Sequence, residues 1–176
     1  ERNFSRAVAR RLPAEALFDA IEQATASSDR LARAATEMEE RAIGPKGGAL
    51  AGRYGYGNYA STVFGRSARD TNCDCSASNE PNLLQAIYTQ NDKEILTAID
   101  RKEGWLYEIS PQLTKASRSQ MPALIKEACL RTVSRTPTDD ELERCAAHVA
   151  EVGNAAEGFQ ELLWVLLNSR AFLTNH

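Results

Sequence analysis

The sequence predicts an irregular, mainly α-helical bundle with at most a minor strand. Apolar residues recur at helical spacing along much of the chain, as in Leu17, Ala20, Ile21 and Ala24. Thr138 and Glu141 stand three residues apart directly after Ser134-Arg135-Thr136-Pro137. That is a capping box behind a turn, with an apolar stripe on either side. Only Tyr59-Ala60-Ser61-Thr62-Val63-Phe64 reads as a strand, and it is too isolated to build a sheet.

The elements follow in chain order. A first helix is expected from Pro13, which suits the first helical position because it has no N–H to leave unpaired. Glu15 then favours the positive end of the helix dipole. Ser27-Ser28-Asp29 breaks that helix and caps a second. The second is expected to turn Leu31, Ala35, Met38 and Ala42 inward and to stop at Ile43, because Gly44-Pro45-Lys46-Gly47-Gly48 cannot continue it. Residues 44–80 read as a long irregular loop in which glycines alternate with Tyr54, Tyr56 and Tyr59. Function would concentrate there, since structureless segments of this length are uncommon in compact domains. Helices resume at Pro81, with Leu83, Leu84, Ile87, Ile95 and Ile99 on the buried side and a second cap at Asn91-Asp92. Gly104-Trp105-Leu106-Tyr107 reads as a short apolar anchor ahead of a loop at Pro111. A helical hairpin spans 121–152. Ile125, Cys129, Thr132 and Val133 lead into its turn, and Leu142, Cys145, Ala146 and Val149 continue on one face of the return helix. The last and most apolar helix, from about 155 to 172, should be central.

Bulk properties narrow the class. The 176 residues fit a single domain, 1–176, and 43% hydrophobic with 26% charged residues are ordinary globular values. No apolar run approaches the roughly 20 residues of a membrane helix. A net charge of −3 provides no attraction for nucleic acid. The basic cluster Arg2, Arg6, Arg10 and Arg11 lacks interleaved aromatics and reads as a solvated end. The chain opens Glu1-Arg2-Asn3-Phe4 without an initiator Met, so the expectation is a piece of a larger multidomain protein.

Chemistry-bearing residues are few. Cys73-Asp74-Cys75, with Cys145 and His148, would make a Cys₃His metal set, but one-residue spacing is shorter than the usual clamp. Redox exchange between Cys73 and Cys75 would require a strained disulfide, and Asp74 disfavours a reactive thiolate. The favoured reading is a structural corner, with Ser76, Ser78 and Asn79 as turn and cap residues. Cys129 and Cys145 each lie eight residues from Pro137, at the same height on antiparallel helices. They should face each other as a disulfide under oxidising conditions, otherwise as a buried thiol pair. Arg53, Tyr54, Tyr56, Asn58 and Tyr59 are a candidate ligand surface of the kind that stacks on sugars, although packing onto the bundle is the favoured role. Gly44-Pro45-Lys46-Gly47-Gly48 lacks the P-loop pattern. Glu39-Glu40 and Asp139-Asp140 read as solvated carboxylates. No catalytic residue, cofactor-binding residue or cofactor is assigned.

Three stretches, taken together, carry a family resemblance. They are Arg10-Arg11-Leu12-Pro13-Ala14-Glu15-Ala16-Leu17; the run from Val63-Phe64-Gly65-Arg66 through Cys73-Asp74-Cys75 to Gln90-Asn91-Asp92; and Ser134 to Leu142, followed by Leu166-Leu167-Asn168-Ser169-Arg170-Ala171-Phe172-Leu173. In this order they resemble the C-terminal half of an uncharacterised domain abundant in planctomycete bacteria, found in exported proteins with a cytochrome-c-like head. Cys129 departs from the pattern, which has an aromatic before Leu130. The resemblance implies export, where disulfides persist. It also implies that partners are the domain's N-terminal half and the other domains of the parent. No Cys-x-x-Cys-His haem attachment occurs in this chain, so any haem belongs elsewhere in the parent. The expected function is a non-catalytic structural or interaction module, with self-association through Ala-rich stripes such as Ala32, Ala35 and Ala42. The alternative is a ligand-binding or catalytic module, polysaccharide-related, that uses the 44–80 loop.

Overall fold

The structure, a computed structural model, describes residues 10–37, 41–42, 63, 93–115 and 120–175. These form a mainly helical bundle, as the periodicity predicts. Helix α1 (Ala14–Thr25) starts one residue later than expected, with Pro13 at its N-cap rather than at the first helical position. The Pro13 carbonyl accepts the first bond, from Leu17 N–H at 2.9 Å. Leu17, Ile21 and Ala24 of the expected stripe are buried along it; Ala20 is half-buried, and Phe18 is buried in addition.

Helix α2 (Ser28–Thr36) departs from expectation. It ends well before Ile43, none of its residues is buried, and Ala35 is exposed. The reason lies beyond the helix. Glu37 is extended, and Ala42 is buried without being helical because its N–H is taken by Asp19 Oδ1 of α1 at 2.5 Å. Arg41 reaches back to the Ala34 carbonyl, at 3.1 Å. A backbone group satisfied by another element has no need of a helix. Val63, the one described residue of the expected strand at 59–64, is helical and buried.

Helix α3 (Lys93–Asp100) buries Ile95, Ala98 and Ile99. A turn at 101–104 then returns the chain beside α1, with Ala26 and Gly104 bridged antiparallel. A Cβ at Gly104 would come within 2.8 Å of the Arg101 carbonyl oxygen and 3.2 Å of the Thr25 oxygen, so only glycine fits without movement.

Helix α4 (Trp105–Lys115) contains Pro111 where a loop was expected. Proline cannot supply the N–H that the Tyr107 carbonyl would accept. The Ser110 hydroxyl donates to that carbonyl instead, at 3.0 Å, and the helix continues.

The hairpin forms as its cap signal requires. Helix α5 (Met121–Val133) ends at Ser134, whose φ of 55° is left-handed, and α6 (Asp139–Glu151) begins behind Thr138. Both halves of the capping box are made: Glu141 N–H to Thr138 Oγ1 at 3.3 Å and Thr138 N–H to Glu141 Oε2 at 2.9 Å.

Helix α7 (Ala155–Leu167) is central, packing on α3, α4, α5 and α6. Its Gly158 lies against α6, where a Cβ would be 2.9 Å from Val149 Cα. Phe159 is fully buried and meets Trp105 edge to face, with ring centroids 5.8 Å apart. The expected single helix to 172 is in fact two. Asn168 Nδ2 bonds the Trp164 carbonyl, and Ser169 caps a new short helix, α8 (Arg170–Leu173), by accepting the Phe172 N–H. Strands β1 (Arg10–Arg11) and β2 (Thr174–Asn175) pair antiparallel, tying the two ends of the described chain together. No helix among the described residues is long and apolar enough to cross a membrane.

Candidate functional site

A cleft of about 210 Å³ opens beside the turn of the hairpin. Cys129 and Val133 of α5, Arg135 of the turn, and Glu141, Arg144 and Cys145 of α6 line it, with Leu166, Ser169 and Ala171 completing the wall. It brings two thiols, a carboxylate and two guanidinium groups together. Arg135 makes a two-pronged ion pair with Glu141, both contacts 2.7 Å, so that guanidinium is already engaged. That pair, together with the Thr138 N–H, pulls the Glu141 carboxyl down to about 2.

Cys129 and Cys145 are free thiols here, and no disulfide joins them. The hairpin register read from Pro137 does place both on one cleft. Burial pushes the Cys129 thiol up to about 11, and the neighbouring Cys145 and Glu141 add to the effect. The Cys145 thiol is raised by burial and by Glu141, against an opposing pull from Arg144. Thiols so shifted are mostly protonated at neutral pH and are weak nucleophiles.

Of the metal alternative, Cys73 and Cys75 lie outside the described residues. Cys145 and His148 share α6 but have different neighbours. Cys145 lines the thiol cleft, whereas His148 Nε2 lies 3.0 Å from Glu161 Oε2 of α7, close enough for an ion pair but not aligned as a hydrogen bond. Among the described residues no three His, Cys, Asp or Glu side chains group to hold a metal ion. The candidate ligand surface at Arg53, Tyr54, Tyr56, Asn58 and Tyr59 also lies outside the described residues.

The structure brings together polar side chains that sequence reasoning missed. Glu22, 10% exposed at its side chain, is clamped by Arg30 of α2 and by Arg101 of the 101–104 turn, the latter at 2.7 Å. Arg101 also donates to Thr25 Oγ1, which itself donates to the Ile21 carbonyl. Glu108 of α4 accepts the Ser28 N–H at 2.9 Å and so caps α2 from another helix, while Ser27 makes no side-chain cap. That bond, reinforced by Arg131, holds the Glu108 carboxyl below the usual carboxylate range. Arg131 lies over Trp105 and donates to the Ala26 carbonyl. The visible trace of Arg131 in the sequence is its i,i+4 spacing from Glu127, which it pairs at 2.9 Å. The other partners are far apart in the chain and leave no local signal.

No family model, curated protein or solved structure matches this chain.

Proposed function

We propose that this chain is a non-catalytic structural and interaction module of an exported multidomain protein, and that α2 is the element it presents. The observation that carries this reading is the way α2 is held. Its N-terminus is capped from α4 by Glu108, and Arg30 anchors it to Glu22, yet none of its residues is buried. A helix held by polar contacts, with no side chain buried, keeps its small residues at the surface. Ala32 and Ala35 are exposed there and allow another backbone to approach closely. The partner in this reading is the N-terminal half of the domain that the sequence resembles, with self-association when that half is absent. Other charged side chains support the same view, because Arg101 and Arg131 are engaged in joining one element to another.

Sedimentation of the chain alone, followed by titration with that N-terminal half, tests the proposal. Association is expected with one or the other, and Ala32→Glu with Ala35→Glu should weaken it at least tenfold without altering helix content. A strictly monomeric chain indifferent to its other half would sink the reading. Turnover of a glycan by this chain alone would promote the alternative, with residues 44–80 as the place to look for its site.

A further inference from the structure

We propose that Cys145 and Cys129 are a modification site, the first an entry thiol and the second a resolving thiol, which a disulfide-bearing oxidant converts into a cross-link between α6 and α5. The inference goes beyond the module reading and does not depend on it, since the hairpin cleft involves no residue of α2.

Position sets the order of events. Cys129 is 4% exposed and belongs to the core cluster, whereas Cys145 is half-buried and only packs against that cluster. An incoming disulfide therefore meets Cys145 first. Cys145 gives its proton to solvent, and the thiolate attacks one sulfur of the oxidant. A mixed disulfide forms, and the other sulfur leaves as a thiolate that takes a proton from water. Cys129 then gives its proton to solvent and attacks Cys145 Sγ, displacing the second oxidant thiolate. The protein loses two hydrogens and two electrons, and the oxidant is reduced to two thiols.

The charges around the cleft fit a slow but available exchange. Arg144 favours the Cys145 thiolate and Arg135 that of Cys129, while burial and Glu141 oppose both. Burial prevails, so little thiolate is present at neutral pH and the exchange is slow.

The test is to incubate the reduced full chain with oxidised glutathione and map its tryptic peptides without reduction. Cleavage at Arg131, Arg135 and Arg144 places the two cysteines in separate peptides. The expected product is those peptides joined and lighter by two hydrogens, with the melting temperature raised by about 5 °C or more. Cys129→Ser should accumulate one glutathione on Cys145, whereas Cys145→Ser should leave Cys129 unmodified. The cross-link should survive Cys73→Ser with Cys75→Ser. Failure of the joined peptides to appear in the unsubstituted chain, or their replacement by links from Cys73 or Cys75, would overturn the site. Glutathione on Cys129 in the Cys145→Ser chain would overturn the assigned order.

Discussion

The guanidinium of Arg131 lies 4.5 Å from the centroid of the Trp105 ring, and its side chain is only 11% exposed. From there it donates to the Ala26 carbonyl at 2.9 Å and to Glu127 at 2.9 Å. One planar, permanently charged group thus joins α5, α4 and the junction between α1 and α2. A stacked cation adds about 0.5–2 kcal/mol, and a hydrogen bond to a charged donor about 1.5–3 kcal/mol. Arg131→Ala should therefore lower stability by about 2–3 kcal/mol in urea unfolding. Arg131→Lys should recover less than half of that loss, because an ammonium cannot stack and reach the carbonyl with a planar fork. Full recovery with Lys would show that charge alone matters there.

The turn of the hairpin adds polar contacts to what its buried apolar faces contribute. Thr138, Glu141 and Arg135 form one exposed knot that satisfies the first donors of α6 and braces the turn against it. The Glu141 carboxyl is held at about 2, first by Arg135 and then by the Thr138 N–H, against an ordinary value of 4.5. A depressed folded value means that its contribution is complete above the unfolded value. That contribution is lost as pH falls from about 4.5 through about 2. Glu141→Gln keeps a capping acceptor and removes the titration. Its melting temperature should fall less steeply than that of the unaltered chain between about pH 5 and pH 2. Parallel curves would show that the knot contributes nothing to acid sensitivity.

Across the whole molecule, Glu22 joins parts that the apolar core leaves loosely connected. It lies on α1, and its carboxylate holds both α2 through Arg30 and the 101–104 turn through Arg101. Gly104 lets that turn sit against Thr25, where a side chain would collide with backbone. Removing one member of a buried ionic group leaves the others uncompensated, at a cost of roughly 3–5 kcal/mol when fully dry. Arg30 keeps 21% exposure and Arg101 14%, so Glu22→Ala should cost less, about 2–3 kcal/mol. The loss should appear in thermal unfolding together with faster amide exchange across 28–36, because α2 has no buried side chain to hold it. Unchanged exchange there would mean that the Glu108 cap suffices.

The sequence by itself determined the helical class, the course of α1, the hairpin with its capping box, and the central apolar helix. In each case the deciding partners stand within one or two turns of each other, as Thr138 and Glu141 do. The hairpin's symmetry about Pro137 also brought Cys129 and Cys145 to one cleft. Tertiary structure decided the rest. The non-helical course of Ala42 goes with Asp19 taking its N–H, 23 residues away. The cap on α2 comes from Glu108, 80 residues on, and the Ala26 carbonyl is met by Arg131, 105 residues on. Pro111 and the break at Asn168-Ser169 turned on hydroxyl and amide groups that compete with the backbone, and their outcome depends on the packed helix around them. The state of the two thiols belongs with these, since burial and neighbouring charge raise their pKa and neither exists until the helices have packed. Short-range hydrogen bonds and periodicity are written along the chain, whereas desolvation and charge pairing between distant residues arise only in three dimensions.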